Sequence, residues 1–267
     1  MAFSLTKTED LSWVTSDRLP AKHLFTRRLG GVGDYPYSSN YDPVWLQPER
    51  QATVRAQWLS LIREAELPEK GLCFTHQIHG TEIRYVTESE ALIPPLQKVP
   101  TDCDGLITDR PGVALCIFTA DCVPVLLCDL SAGLVCAVHS GWKGTVQDMM
   151  GSAVRKMCSM GAKKESIYAA VGPAISQCCF ECGGEVKDAI ETLLGKDAEG
   201  LCPPEAGVPG KYMIDLKETN ARRLVQLGVK RENIDVSPDC TMCMQDVYWS
   251  HRATHGVRGT QAAIIML

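Results

Sequence analysis

The sequence predicts an α+β fold, with helices outside and a mixed sheet within. Three observations lead there. Short apolar runs bounded by Gly, Pro or Asp crowd the middle of the chain, which is how central strands look. Longer segments carry apolar residues at helical spacing. The length, 267 residues, suffices for one large domain with a substantial core or for two small ones.

In chain order, residues 49–65 place Val54, Trp58, Leu59, Leu61 and Ile62 on one helical face. Residues 81–87 alternate polar and apolar side chains, the pattern of a half-buried strand. The stretch ALIPPLQKVP at 91–100 is Pro-rich and reads as a loop. Strands are expected at 105–108, 113–118, 124–128 and 134–139, with a turn at 129–133 joining the last two into a hairpin. Residues 144–160 read as one helix carrying Val146, Met149, Met150, Val154 and Met157. Helices are also expected at 184–194 and 216–227, with Gly228 as the C-cap of the second. Residues 202–210, with Pro203, Pro204 and Pro209, form a second loop, and 262–267 close the chain as a buried strand. No internal repeat or low-complexity tract interrupts this order.

Composition excludes several function classes. A net charge of −5 supplies no global field to attract nucleic acid or an anionic membrane. No apolar stretch approaches the roughly 20 residues that span a bilayer. The N-terminal segment runs Thr6-Lys7-Thr8-Glu9-Asp10 instead of an apolar h-region, so a cytoplasmic location is expected. Thirteen cysteines, an odd number, argue against a disulfide framework and for reduced thiols. Cys116, Cys128 and Cys136 sit inside apolar runs and read as small hydrophobes.

Three constellations carry chemistry. Thr75-His76-Gln77-Ile78-His79-Gly80 places two of the chain's six histidines in one short turn before a strand. Asp121-Cys122-Val123-Pro124 sets a cysteine where one apolar run ends and the next begins. In His139-Ser140-Gly141-Trp142-Lys143-Gly144-Thr145 a strand ends in a Gly-rich turn and a helix start, a geometry that presents side chains and backbone N–H groups to a ligand. Imidazole and thiolate together suit zinc or copper and not magnesium or calcium. Three protein ligands leave an open fourth position, the mark of a catalytic zinc. One such site predicts about one zinc per chain. Two C-x-x-C pairs, Cys179/Cys182 and Cys240/Cys243, read as structural cysteines ahead of a four-thiolate site or redox pairs. The H-x-E…P-C-x-x-C signature of zinc deaminases is absent.

Over nearly its whole length the sequence resembles the YfiH-type family, described both as polyphenol oxidases or laccases and as purine nucleoside phosphorylases. The shared pieces are TRRLGG at 26–31, HQIHG, DGLIT, TADCVPVLLCD, AVHSGWKGT, VGPAI, CTMC, WSHR and GTQAAIIML. The resemblance implies a single domain over 1–267, with mixed sheets in an α/β/β/α sandwich. It implies metal ligation by His79, Cys122 and His139, choosing His79 over His76. It further implies catalytic roles for Cys122, Asp121, Arg55 and Lys143, and substrate contacts from Arg28, Gln77 and Arg252. Arg55 follows Val54 where the family has Asn, Lys143 replaces the Arg of G-W-R-G, and Ser38-Ser39-Asn40-Tyr41 replaces S-L-N-L. The Lys is a point charge where Arg would offer a bidentate fork. The implied activity is phosphorolysis of adenosine, inosine or guanosine, with adenosine deamination and methylthioadenosine phosphorolysis as further activities and a purine nucleoside and phosphate as partners. The alternatives are a copper-dependent polyphenol oxidase and a cysteine hydrolase with Cys122 as nucleophile.

Overall fold

A computed structural model describes residues 3–30, 48–68, 71–90 and 102–267. The 91–100 loop and Ser38–Tyr41 lie outside the described residues. The strands, in chain order, are β1 (Phe3–Lys7), β2 (Leu11–Ser16), β3 (Lys22–Gly30), β4 (Leu72–Cys73), β5 (Ile83–Tyr85), β6 (Gly105–Thr108) and β7 (Ala114–Thr119). They continue as β8 (Val123–Asp129), β9 (Leu134–Ser140), β10 (Tyr168–Val171), β11 (Glu181–Gly183), β12 (Lys211–Met213), β13 (Ile234–Val236) and β14 (Gln261–Met266). The helices are α1 (Pro48–Glu64), α2 (Trp142–Val146), α3 (Met149–Ser159), α4 (Gly184–Leu194) and α5 (Leu216–Gln226).

Two six-stranded sheets form, ordered β1-β2-β3-β14-β7-β4 and β13-β10-β8-β9-β6-β5. Both are mixed: β4 lies parallel to β7, β5 to β6 and β10 to β13, and the remaining neighbours are antiparallel. Strand alternation explains how they stack. In β7, Leu115 and Ile117 join Phe25, Ala263 and Ile265 against Leu106, Leu126, Val135 and Ala170 of the other sheet. The intervening Ala114, Cys116 and Phe118 face outward onto Val54, Trp58, Leu61 and Ile62 of α1. On the far side, Val125, Leu127, Cys136 and Val138 meet Met150, Val154, Ile190 and Leu224 from α3, α4 and α5. Each sheet is therefore covered on both faces, in the order helix, sheet, sheet, helix. That is the expected α/β/β/α arrangement, and it accounts for central strands that are apolar on both faces.

One expectation changes. The helix read over 144–160 is two helices, because Asp148 adopts φ 68° and its carboxylate accepts the Gly151 N–H as the N-cap of α3. The N-terminal strands β2 and β3, where the sequence predicts no element, bury Ser12, Ser16, His23, Thr26 and Arg27. Gly228, at φ +100°, follows α5 in the left-handed conformation that ends helices. No helix among the described residues is long and apolar enough to cross a membrane.

Candidate metal centre

Strand register brings two of the three candidate ligands together. In the β8–β9 hairpin Pro124 pairs with His139, so Cys122, two residues before Pro124, stands beside that histidine. His79 arrives from the loop between β4 and β5. Its own φ is 63° and that of Asp121 is 83°, so non-glycine residues hold left-handed conformations on both ligand-bearing turns. The ligand atoms of His79, Cys122 and His139 all lie within 4.8 Å of one another. Cys122 Sγ is 3.9 Å from His79 Nε2, and the two imidazoles meet edge to face with centroids 4.9 Å apart. A side chain at Gly141 would crowd the cluster: its Cβ would lie 3.0 Å from His79 Cδ2 and 3.1 Å from Cys122 Sγ.

Asp104 organises the cluster, and sequence reasoning missed it. Its fully buried carboxylate accepts the His139 Nδ1–H at 2.8 Å. It also accepts the backbone N–H groups of Ile78, His79 and Gly80 at 3.1, 2.9 and 2.7 Å. One carboxylate thus fixes the His139 tautomer, leaving Nε2 for the centre, and holds the left-handed His79 turn. Burial pushes the Asp104 carboxyl up, but His139 and the backbone donors outweigh this and hold it below the usual carboxylate range. The DGLIT stretch contained the residue, yet an Asp before Gly reads as a turn. Only the β6–β9 pairing reveals what it faces.

Charge in the cluster is mutual. Burial pushes the Cys122 thiol up, but His139 and His79 outweigh it and bring it down to about 6. Burial lowers the His139 pKa, and the Cys122 thiolate and Asp104 overcome that, raising it to about 9. The thiolate a soft cation requires is therefore present at neutral pH, and a metal would displace the His139 proton. The donor set and its convergence fit a single metal with an open position.

The other predicted residues fall in different places. Gln77 donates to the Phe118 carbonyl and accepts the Phe118 N–H, both at 2.7 Å, so its amide ties the His79 loop to β7. Asp121 accepts from Thr241 Oγ1 (2.6 Å), Ser250 Oγ (3.0 Å) and the Arg252 N–H (2.7 Å). It anchors the C-terminal segment, and the carboxylate that orients His139 is that of Asp104. Arg252 lines a cavity, with its guanidinium on the Glu181 carbonyl and 5.4 Å from the Phe180 ring centroid. The Arg28 guanidinium stacks 4.3 Å over Trp249 and donates to the Gln245 carbonyl. Lys143 is exposed with Nζ near the Trp142 ring, and Arg55 is exposed on α1; neither is among the described residues that line the cavities. His76 turns outward to Asp102.

Two cavities meet at His79 and Cys122. One, of about 160 Å³, is polar, with Thr75, Gln77, Thr119 and Thr260. The other, of about 250 Å³, is lined by Trp142, Ile175, Phe180 and Leu216 together with His251 and Arg252. His79, Ala120, Cys122 and Arg258 belong to both. Arg258 is a second residue the sequence reading passed over; it stands directly before the closing GTQAAIIML run.

The sequence pattern described as multi-copper polyphenol oxidoreductase laccase matches residues 22–267. A purine nucleoside phosphorylase, YlmD of Geobacillus stearothermophilus, is 34% identical over 248 residues, covering 90% of this chain and 88% of its own. A crystal structure of YlmD from that organism superposes with a TM-score of 0.86 at 29% identity, covering 98% of each chain. An adenosine deaminase, RL5, from an unknown prokaryotic organism is 39% identical over 196 residues, covering 73% of this chain and 74% of its own. The crystal structure of the YfiH protein of Bacillus licheniformis matches with a TM-score of 0.86 at 27% identity, covering 98% of each chain.

Proposed function

The chain belongs to the multi-copper polyphenol oxidoreductase laccase family, also known by its YfiH-type members, and on that footing we propose that it is a zinc-dependent purine nucleoside phosphorylase. We take residues 1–267 as one domain of this family. The observation that carries the reading is the His79–Cys122–His139 cluster, two of whose members, His79 and Cys122, lie on the common wall of a polar and an apolar cavity. A nucleoside has the same division, with a flat base at one end and a hydroxylated sugar at the other. Trp142, Phe180 and Ile175 suit the base, and the polar cavity suits ribose and phosphate.

In the proposed reaction phosphate attacks C1′ of the sugar. The glycosidic C–N bond breaks, and the base departs with the electron pair and takes up a proton. His79, Cys122 and His139 would hold the zinc, which when bound would supply a fixed positive charge to the site. Arg258, shared by the two cavities, would be the guanidinium that holds the anion, while Arg252 lines the cavity that suits the base. Asp104 and Asp121 position the ligand loops and the cavity wall. Deamination of adenosine on the same site is the second reading, favoured by the RL5 relative. Multicopper oxidation needs additional histidine ligands. Of the six histidines, only His79 and His139 enter a group able to hold a metal among the described residues.

The test is a product assay with adenosine, inosine, guanosine and methylthioadenosine, with and without phosphate. Free base and a sugar 1-phosphate should appear only with phosphate, and ammonia from adenosine would measure deamination. Oxygen uptake on a phenol, with no phosphate-dependent base release from any nucleoside, would overturn the proposal.

A further inference from the structure

The cysteines of the C-x-x-C pairs sort differently in space than in sequence. Cys179 does not pair with Cys182. Instead, the sulfurs of Cys178, Cys179, Cys240 and Cys243 all lie within 4.8 Å of one another. The Cys179–Cys243, Cys178–Cys243 and Cys178–Cys179 separations are 3.3, 3.5 and 3.7 Å. A disulfide would require about 2.05 Å. Four thiolates at about 2.3 Å from a tetrahedral cation lie about 3.8 Å apart, close to what is seen.

We propose that Cys178, Cys179, Cys240 and Cys243 hold a structural zinc, separate from the His79–Cys122–His139 centre. Tetrahedral all-sulfur sites select zinc or iron–sulfur chemistry, and four protein ligands leave no open position for a substrate. The surroundings suit a thiolate site. The Ser176 N–H donates to Cys240 Sγ at 3.3 Å. The Lys217 ammonium, 5% exposed, is held by the Ser237 and Asp239 carbonyls, the second of them adjoining Cys240 in the chain. That buried positive charge offsets part of the negative charge of four thiolates.

The site has a mechanical role. It joins the turn at 176–179 to the turn at 240–243, beside the bridge between Ala174 and Cys240. The first turn lies between Ile175 and Phe180, which line the apolar cavity. The second is followed by Ser250 and Arg252, which with Thr241 bind Asp121. A zinc here fastens one wall of the cavity to the sandwich.

Elemental analysis and zinc X-ray absorption on the purified full chain test this. Two zincs per chain are expected, with an average sulfur coordination above that of a one-thiolate site. Cys178→Ser/Cys243→Ser should lose one zinc, keep the other and melt at lower temperature, whereas His79→Ala should keep the sulfur-rich zinc. If the double variant fails to fold, the wild-type absorption spectrum decides. A single zinc lost in His79→Ala, iron or copper on the four sulfurs, or a disulfide among these cysteines in peptide mapping would each overturn the proposal.

Discussion

Asp104 and Cys122 set the chemistry of the centre by different means. Asp104 accepts four hydrogen bonds, one from a proposed ligand and three from the turn that presents another. Asp104→Asn keeps the volume but turns an amide donor toward donors. Zinc affinity should fall about 10–100-fold, measured by competition with a chromophoric chelator. Unchanged affinity would remove Asp104 from its positioning role. Cys122 poses a sharper choice, because a thiolate beside an imidazolium also describes a nucleophile. His79 favours the ligand reading: its Nε2 lies 3.9 Å from the same sulfur, which a cysteine hydrolase does not need. Cys122→Ala should fold, lose zinc from this centre and lose both nucleoside activities together. Full zinc occupancy with no turnover would instead identify a nucleophile. The three proposed ligands were legible as candidates because each stands within two residues of a glycine or proline where a strand begins, ends or is approached, and only the resemblance chose His79 over His76. Asp104 was not, because its partners lie on β9 and in the His79 turn, distant in sequence.

At the scale of elements, Asp148 shows what sequence periodicity cannot see. The apolar spacing runs unbroken through 144–160, yet a carboxylate that caps α3 and binds Arg223 of α5 through two bonds, at 2.8 and 3.0 Å, redirects the chain. The central hairpin was legible for the opposite reason: β8 and β9 are buried on both faces, so their apolar runs have no competing reading. Burial pushes the Asp148 carboxyl up, but Arg223 and the Gly151 N–H outweigh it and hold the carboxyl below its usual value. A depressed folded pKa means the stabilisation is complete above the unfolded value of about 3.9 and is lost as pH falls through the folded one. Asp148→Ala, which removes the cap and the ion pair and leaves alanine in a left-handed conformation, should cost about 2 kcal/mol at neutral pH. Asp148→Asn keeps the cap and tolerates the conformation, so it should cost less. In urea titrations at pH 7 and pH 3, the gap between wild type and Asp148→Asn should narrow at the lower pH. A gap independent of pH would show that the ion pair contributes nothing.

For the whole molecule, the centre lies where the chain crosses between sheets. Residues 120–122 connect β7 of one sheet to β8 of the other, and the His79 loop connects β4 to β5 across the same gap. The geometry of the site therefore depends on how closely the sheets dock, and Gly172 marks a tight point of that docking. It follows β10, with its N–H on the Pro124 carbonyl. A Cβ there would lie 2.3 Å from the Phe25 ring of the facing sheet. Phe25 is 2% exposed and flanked by Phe3 and His23, so the ring has little freedom to swing away. The sheets would have to separate or the ring leave its rotamer, and overpacking of this kind costs about 1–3 kcal/mol. For a chain of this size each 1 kcal/mol shifts the melting temperature by about 2–4 °C. Gly172→Ala should accordingly melt several degrees lower in calorimetry. Because Pro124 lies two residues from Cys122, the variant should also bind zinc more weakly at the His79–Cys122–His139 centre. A drop in melting temperature with zinc affinity intact would mean that the hairpin holds the ligands independently of sheet docking. No change in either would mean that Phe25 has room the packed sheets do not show.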